Sequence, residues 1–166
     1  MKIELKKPSV KDKESLARVC NSVDRRYLSD RLPYPYTDSA AEWWINMVEE
    51  NDEKTGLWRV IYVDDVLVGN ISVELKSDVY RKDGEIGYLL ATDYWSKGIM
   101  TEAVRQMCEL AFEKLDIVRI TGLVYAPNNA SQHVLEKNGF VREGLQRRAV
   151  YKDGQLYDLC LFGKLK

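Results

Sequence analysis

Between residues 85 and 138 the apolar periodicity of the chain changes three times. Glu85–Leu90 (Glu-Ile-Gly-Tyr-Leu-Leu) reads as a strand. Lys97–Leu115 then carries apolar residues at 100, 103, 104, 107 and 111, the spacing of one helix face. Ile117–Tyr125 returns to a strand, and Asn129–Asn138 to a short helix with Val134 and Leu135 turned inward and Gly139 closing it. Strand–helix–strand–helix alternation commits the chain to an α/β domain.

The flanks complete that domain. Ile3–Lys6 alternates Ile3 and Leu5 with charged neighbours and predicts a first strand. Ser9 is placed to cap a helix reaching about Asp24, with Leu16, Val19 and Cys20 on one stripe. Tyr27–Tyr36 is irregular, because each proline of Leu32-Pro33-Tyr34-Pro35-Tyr36 disfavours helix at the preceding residue. Thr37 or Asp38 caps a second helix over Ser39–Glu50. Leu57–Val63 and Val66–Leu75 form a hairpin about Asp64-Asp65, and Gly69 marks a bulge or a close backbone approach. Ser77–Asp83 is a polar loop. Two strands, Val141–Tyr151 and Gln155–Lys164, close the chain about Asp153-Gly154, a hairpin signal. The expected order is β-α-α-β-β-β-α-β-α-β-β, with about seven strands in one mixed sheet and about four helices. At 166 residues the whole chain, 1–166, is expected to be one domain.

Composition removes several function classes. With 25 basic and 26 acidic residues the formal charge is −1, unlike a domain built to neutralise phosphates, so no nucleic-acid partner is expected. Met1–Lys7 is charged throughout, and no apolar run approaches a membrane span. A cytoplasmic protein with no membrane partner is expected. Cys20, Cys108 and Cys160 are odd in number and far apart, which reads as reduced thiols. One histidine, His133, and no CxxC pair argue against a metal site. The chain has no G-x-S-x-G, Walker A or G-x-G-x-x-G pattern.

What remains is the opening of the long helix. Backbone N–H groups of a helix N-terminus lack partners and carry partial positive charge. Ser96 and Gly98 leave room for a ligand there, and Lys97 adds a charge, which together suit a diphosphate. Alone, the same residues are better described as a plain strand-to-helix turn, with Ser96 as cap and Gly98 for tight packing.

Context decides between them. Asp-Tyr-Trp-Ser-Lys-Gly-Ile-Met-Thr-Glu-Ala (93–103), then Asn-x-x-Ser (128–131) and Leu-Glu-Lys-x-Gly-Phe (135–140), resemble the GNAT acetyltransferases, and within them the RimJ/RimL branch that acetylates protein N-terminal amines. The resemblance extends to Leu-Pro-x-Pro and Trp-Trp early in the chain, Val-Gly-Asn-Ile-Ser, Glu-Ile-Gly-Tyr and Lys-x-Gly…Asp (152–158). It implies the GNAT fold and acetyl-CoA as cosubstrate, with no metal. By position, Trp95, Ser96, Lys97, Gly98, Ile99, Met100 and Thr101 would hold the diphosphate. Leu89 and Leu90 would bond the pantetheine arm, in a slot where the sheet splays, and one of their N–H groups would meet the thioester oxygen. Asn128 would contact the arm and Lys137 the adenosine end.

Trp95 and Met100 stand where the wider superfamily has Arg or Gln and Gly or Ala, changes that leave the backbone donors intact. Leu135 stands where many relatives have a tyrosine that protonates the departing thiolate; the RimJ/RimL branch has a serine at the position matching Ser131.

Each of these residues also has a plainer reading. Asn128 is an N-cap candidate, Ser131 a first-turn residue, and Glu85 either an exposed strand carboxylate or the base that deprotonates the amine. His133 lies two residues from Ser131, on a different helix face, and reads as a surface residue. Tyr34, Tyr36 and Trp44 are candidates to line the acceptor site, with one of Trp43 and Trp44 buried and the other near the cleft. Arg147-Arg148 reads as a solvated strand. The expected acceptor is a protein N-terminal α-amine, such as that of a ribosomal protein. The alternatives are a small amine (an aminoglycoside or polyamine), a CoA-binding module without catalysis, and an RNA-binding protein. An exposed closing strand would allow a homodimer.

Overall fold

The computed structural model describes residues 1–166. Seven strands form one sheet in the order β1-β2-β3-β4-β5-β7-β6: β1 (Ile3–Lys6), β2 (Gly56–Val63), β3 (Val66–Leu75), β4 (Asp83–Leu90), β5 (Arg119–Tyr125), β6 (Val141–Lys152) and β7 (Gln155–Leu165). Four α-helices cover it: α1 (Lys13–Ser22), α2 (Asp38–Asn51), α3 (Ile99–Lys114) and α4 (Asn129–Lys137). All neighbours are antiparallel except β4 and β5, so the mixed α/β sheet is the one the alternation called for.

Both tight turns follow from their residues. Asp64 and Asp65 have φ of 46° and 69°, and Asp153 and Gly154 of 50° and 78°. Two successive left-handed residues match the twist of the flanking strands, and Asp and Gly tolerate that conformation.

The largest core cluster lies on the face covered by α3 and α4, joining Ile86, Leu90, Met107, Ile120, Leu135, Cys160 and Phe162. α1 and α2 cover the other face through smaller clusters about Leu16, Cys20, Ala41 and Ile45 and about Val19, Val60 and Leu67. Strand alternation therefore gives β4 two functional faces. Ile86, Tyr88 and Leu90 join the α3/α4 side, whereas Leu89 packs on the α1/α2 side.

Boundaries differ where local chemistry intervenes. Ser9 caps a 3-10 turn, Val10–Asp12, in which Asp12 accepts from the Ser9 N–H at 2.8 Å, and α1 starts only at Lys13. α3 starts at Ile99 because Ser96 and Gly98 both take left-handed φ, 60° and 76°. Both readings of Gly69 hold. Val68 is the extra residue of a bulge between β2 and β3, and a Cβ on Gly69 would lie 2.2 Å from the Leu89 carbonyl oxygen. The closing strand β7 lies between β5 and β6, so it has no free edge for a second copy. The edge strand is β6, and two register breaks, at Arg142/Gly144 and Gln146/Val150, interrupt its ladder.

Candidate active site

The site starts from a mismatch of strand lengths. β4 runs to Leu90 and β5 to Tyr125, but they pair only from Asp83↔Arg119 to Ile86↔Gly122. Beyond Ile86 the two strands diverge, leaving a V open to the ends of both.

Register tells which backbone groups face that opening. The Ala91 N–H donates to Val68 and the Asp83 carbonyl accepts from Lys76, so odd-numbered β4 residues point their backbone toward β3. The Lys82 carbonyl accepts from Val118, so even-numbered ones point toward β5. The backbone groups of Tyr88 and Leu90 thus face the V, beyond the reach of β5. Leu89 differs from expectation: its backbone serves the β3 ladder opposite Asn70, and its side chain packs on the α1/α2 side. The Leu90 carbonyl is taken by the Trp95 indole N–H at 2.8 Å, leaving the Leu90 N–H for a ligand.

The loop into α3 presents donors beside this slot. The first helical bond of α3 runs from the Glu102 N–H to the Gly98 carbonyl, so the amides of Ile99, Met100 and Thr101 have no intrahelical partner. Ser96, Lys97 and Gly98 are exposed, and nothing lies within 4 Å of a Cβ built on Gly98. Ile99 and Met100 bury their side chains in the core, so only their backbone is available. Unpaired amides, an open left-handed turn and Lys97 suit a diphosphate, and the narrow slot suits an extended arm.

α4 supplies the third wall. Asn128 caps it, accepting from the Ser131 N–H at 3.2 Å. Gly122 lets the helix sit close, since a Cβ there would be 2.7 Å from Leu135 Cδ1. Asn138 ties the other end to α3, donating to the Thr101 carbonyl at 3.1 Å. Lys137 is therefore exposed at the same end as the 95–101 loop.

That placement joins two strand-distant residues. The Ser131 and Tyr88 hydroxyls lie 2.6 Å apart, spanning from α4 to the diverging arm of β4. Burial pushes the Tyr88 phenol up to about 12, so it stays protonated at neutral pH. Sequence reading missed Tyr88. Strand alternation gives its face, but only the packing of α4 gives its partner.

Glu85 lies on the opposite face of β4, where the V begins, paired with Thr121. Burial raises its carboxyl above the ordinary range; Lys76 and Arg31 pull it down, and Glu74 and Asp83 push it up again.

The three aromatic candidates separate. Trp44 is half-buried and packs with Leu89 on the α1/α2 side. Trp43 is 69 % exposed, so neither tryptophan is buried in full. Tyr34 is 72 % exposed, with the Arg25 guanidinium 4.9 Å over its ring. Tyr36 needs correction. It is 6 % exposed within the α1–α2 cluster, and its backbone is held at both ends by the Asn21 amide, so it offers an acceptor little surface. No group of three or more His, Cys, Asp or Glu is close enough to hold a metal ion, and no helix is long and apolar enough to cross a membrane.

Residues 2–141 match the acetyltransferase (GNAT) domain. The chain belongs to the GNAT acetyltransferases. Residues 2–141 make up that family's acetyltransferase domain. It is 35 % identical over 125 residues to YdaF of Bacillus subtilis (strain 168), provisionally named a ribosomal N-acetyltransferase. That match covers 75 % of this chain and 66 % of YdaF; a second relative of the same organism, the uncharacterised N-acetyltransferase YoaA, is matched over 56 % of its length at 31 % identity. The chain thus spans less than two thirds of these relatives. A crystal structure of a probable acetyltransferase superposes with TM-score 0.84 at 30 % identity, over 99 % of this chain and 93 % of that one. RimL, a ribosomal L7/L12 α-N-protein acetyltransferase in complex with coenzyme A, superposes with TM-score 0.86 at 19 % identity, over 98 % and 93 %. At that identity the likeness is one of fold.

Proposed function

We propose that this chain moves an acetyl group from acetyl-CoA directly to the N-terminal α-amine of a protein, and that residues 1–166 make up one domain for that reaction. The observation that carries the chemistry is the Tyr88–Ser131 contact across the V, with Glu85 on the opposite face.

The amides of Ile99, Met100 and Thr101, with Lys97, hold the cosubstrate's diphosphate, and the Leu90 N–H and Asn128 hold its arm. An α-amine titrates near ~8, so about a tenth is neutral at pH 7, far more than of a lysine amine near ~10.4. Glu85 takes its proton, directly or through water, and its raised pKa makes it the stronger base for that task. As the C–N bond forms, the Leu90 N–H stabilises charge on the thioester oxygen. As the C–S bond breaks, Ser131 donates its hydroxyl proton to the sulfur. Tyr88, held neutral by burial, orients Ser131, and solvent returns the serine's proton once CoA leaves as the thiol.

Two features favour the protein acceptor over a polycationic small amine. YdaF carries a ribosomal name. Two of the acidic residues that would draw a polycation are engaged, Asp24 with Arg26 at 3.0 Å and Asp30 with Lys152 at 2.9 Å, which leaves Asp38 exposed and unpaired.

Thiol release from acetyl-CoA, measured on peptides with free N-termini beside aminoglycosides and polyamines, tests the reading. Turnover on peptides supports it. Turnover on small amines alone overturns the acceptor, and CoA binding without any turnover overturns the reaction.

A further inference from the structure

Three tyrosine rings pack on one another where the V opens onto the α1/α2 face. Tyr125, the last residue of β5, stacks on Tyr157 of β7, with centroids 6.0 Å apart and planes at 16°. Tyr27, from the segment between α1 and α2, meets both edge-on at 6.2 Å. All three are half-buried, and none belongs to the hydrophobic clusters that hold the helices to the sheet. None of their hydroxyls bonds to a protein group, whereas the Tyr62 and Tyr88 hydroxyls each do.

Their position is set by the fold. Tyr125 lies beyond the last β4–β5 pair, Ile86↔Gly122, and so on the diverging arm of β5. It shares the α1/α2 face with Thr121 and hence with Glu85, the partner of Thr121, and with Leu89 on the other arm. Ser131 and Tyr88 occupy the opposite face. A nucleophile reaching the thioester from the Glu85 side passes the three rings. Beside them, buried Lys152 on the β6–β7 hairpin pairs with exposed Asp30, fastening the α1–α2 segment across this end of the sheet. Lys152 and Asp30 act on Tyr125 in opposite senses, and the Arg26 guanidinium, paired with Asp24, lies 5.1 Å over the Tyr27 ring.

We propose that Tyr27, Tyr125 and Tyr157 form the pocket for the acceptor's first side chain, selecting amines with an apolar or aromatic group on the amine-bearing carbon. The proposal rests on the N-acetyltransferase reading above and narrows its acceptor. Ring faces stack on flat and aliphatic groups. Asp30 is already paired with Lys152 and the Arg26 guanidinium stands over Tyr27, so the rings themselves offer a second ammonium little attraction.

The test compares kcat/KM for peptides that differ only in a first residue of Phe, Leu, Ser or Gly, with spermidine alongside. Wild type is expected to favour Phe and Leu over Gly at least tenfold. Tyr157→Ala should erase that preference while holding the KM for acetyl-CoA within twofold, and Tyr157→Phe should keep it. If Tyr157→Ala does not fold, Tyr27→Ala, outside the sheet, carries the same test. Peptide turnover with no first-residue preference, or an equal fall on every peptide in the alanine variant, overturns the pocket but leaves the N-acetyltransferase reading. Turnover on spermidine alone overturns the pocket and the protein acceptor but keeps the N-acetyl transfer, and turnover on nothing overturns that as well.

Discussion

Gly69 makes no contact with the proposed cofactor site, yet its replacement should damage it. A Cβ there would lie 2.2 Å from the Leu89 carbonyl oxygen and 3.2 Å from Leu90 Cα. Both are backbone atoms of β4, so no rotamer change relieves the clash. Restoring an ordinary contact requires β3 and β4 to part by about 1 Å locally, as overpacked sites must. The 2.8 Å bond from the Ala91 N–H to Val68 and the neighbouring ladder bonds would then be lost. Ladder bonds are worth about 0.5–1.5 kcal/mol each, and overpacking adds about 1–3 kcal/mol. Gly69→Ala is therefore expected to cost about 3 kcal/mol. At about 2–4 °C per kcal/mol for a chain this size, Tm should fall by about 6–12 °C. The displaced residues, Leu89 and Leu90, include the N–H that faces the slot, so the KM for acetyl-CoA should rise as well. Gly144→Ala is the control, because a Cβ there meets nothing within 4 Å and its φ is not positive. Scanning calorimetry and acetyl-CoA titration read both variants. If Gly69→Ala melts within 1 °C of Gly144→Ala with an unchanged KM, the reasoning fails.

Four further outcomes are expected. Ser131→Ala should lower kcat about tenfold or more, and Tyr88→Phe by a smaller factor, without raising the KM for acetyl-CoA; equal loss through KM alone would remove both from the chemistry. Burial makes the native state hold the Glu85 proton more tightly than the unfolded chain does. Stability then falls as pH rises from the ordinary carboxylate range through the raised native value, and the penalty persists above it. Glu85→Gln should consequently raise Tm at pH 8, with the gain fading below the ordinary carboxylate range, while kcat/KM drops; a lower Tm at pH 8 would contradict this. Leu135→Ala, at a side chain 1 % exposed, should cost about 2–5 kcal/mol in urea unfolding and loosen α4 against Gly122. Asn128→Ala should lose a cap worth about 1 kcal/mol, seen as a lower urea midpoint.

Much of the frame can be read along the chain because its causes are local. Period-two and period-3.6 patterns mark the strands and helices, and Asp64-Asp65 and Asp153-Gly154 dictate their turns through backbone conformation alone. The motifs at 93–103 and 128–140 likewise sit on contiguous segments, which is why the family and its diphosphate loop are legible in them. α3 starts two residues after the point its apolar spacing predicts, because Ser96 and Gly98 adopt left-handed φ, which that spacing does not register.

What needed the folded molecule depends on residues far apart in sequence. The divergence of β4 from β5 is a matter of how many pairs form, four, and no residue of either strand announces it. Leu89 and Leu90 are adjacent and chemically identical, yet register turns one toward β3 and the other toward the slot. Tyr36 and Trp44 look alike as candidate wall residues until α1 buries the first. Tyr88 and Ser131 are 43 positions apart, and Tyr27, Tyr125 and Tyr157 come from three separate segments. Side-chain chemistry and local periodicity chose the elements; long-range packing, which no local pattern encodes, chose which of their residues face each other.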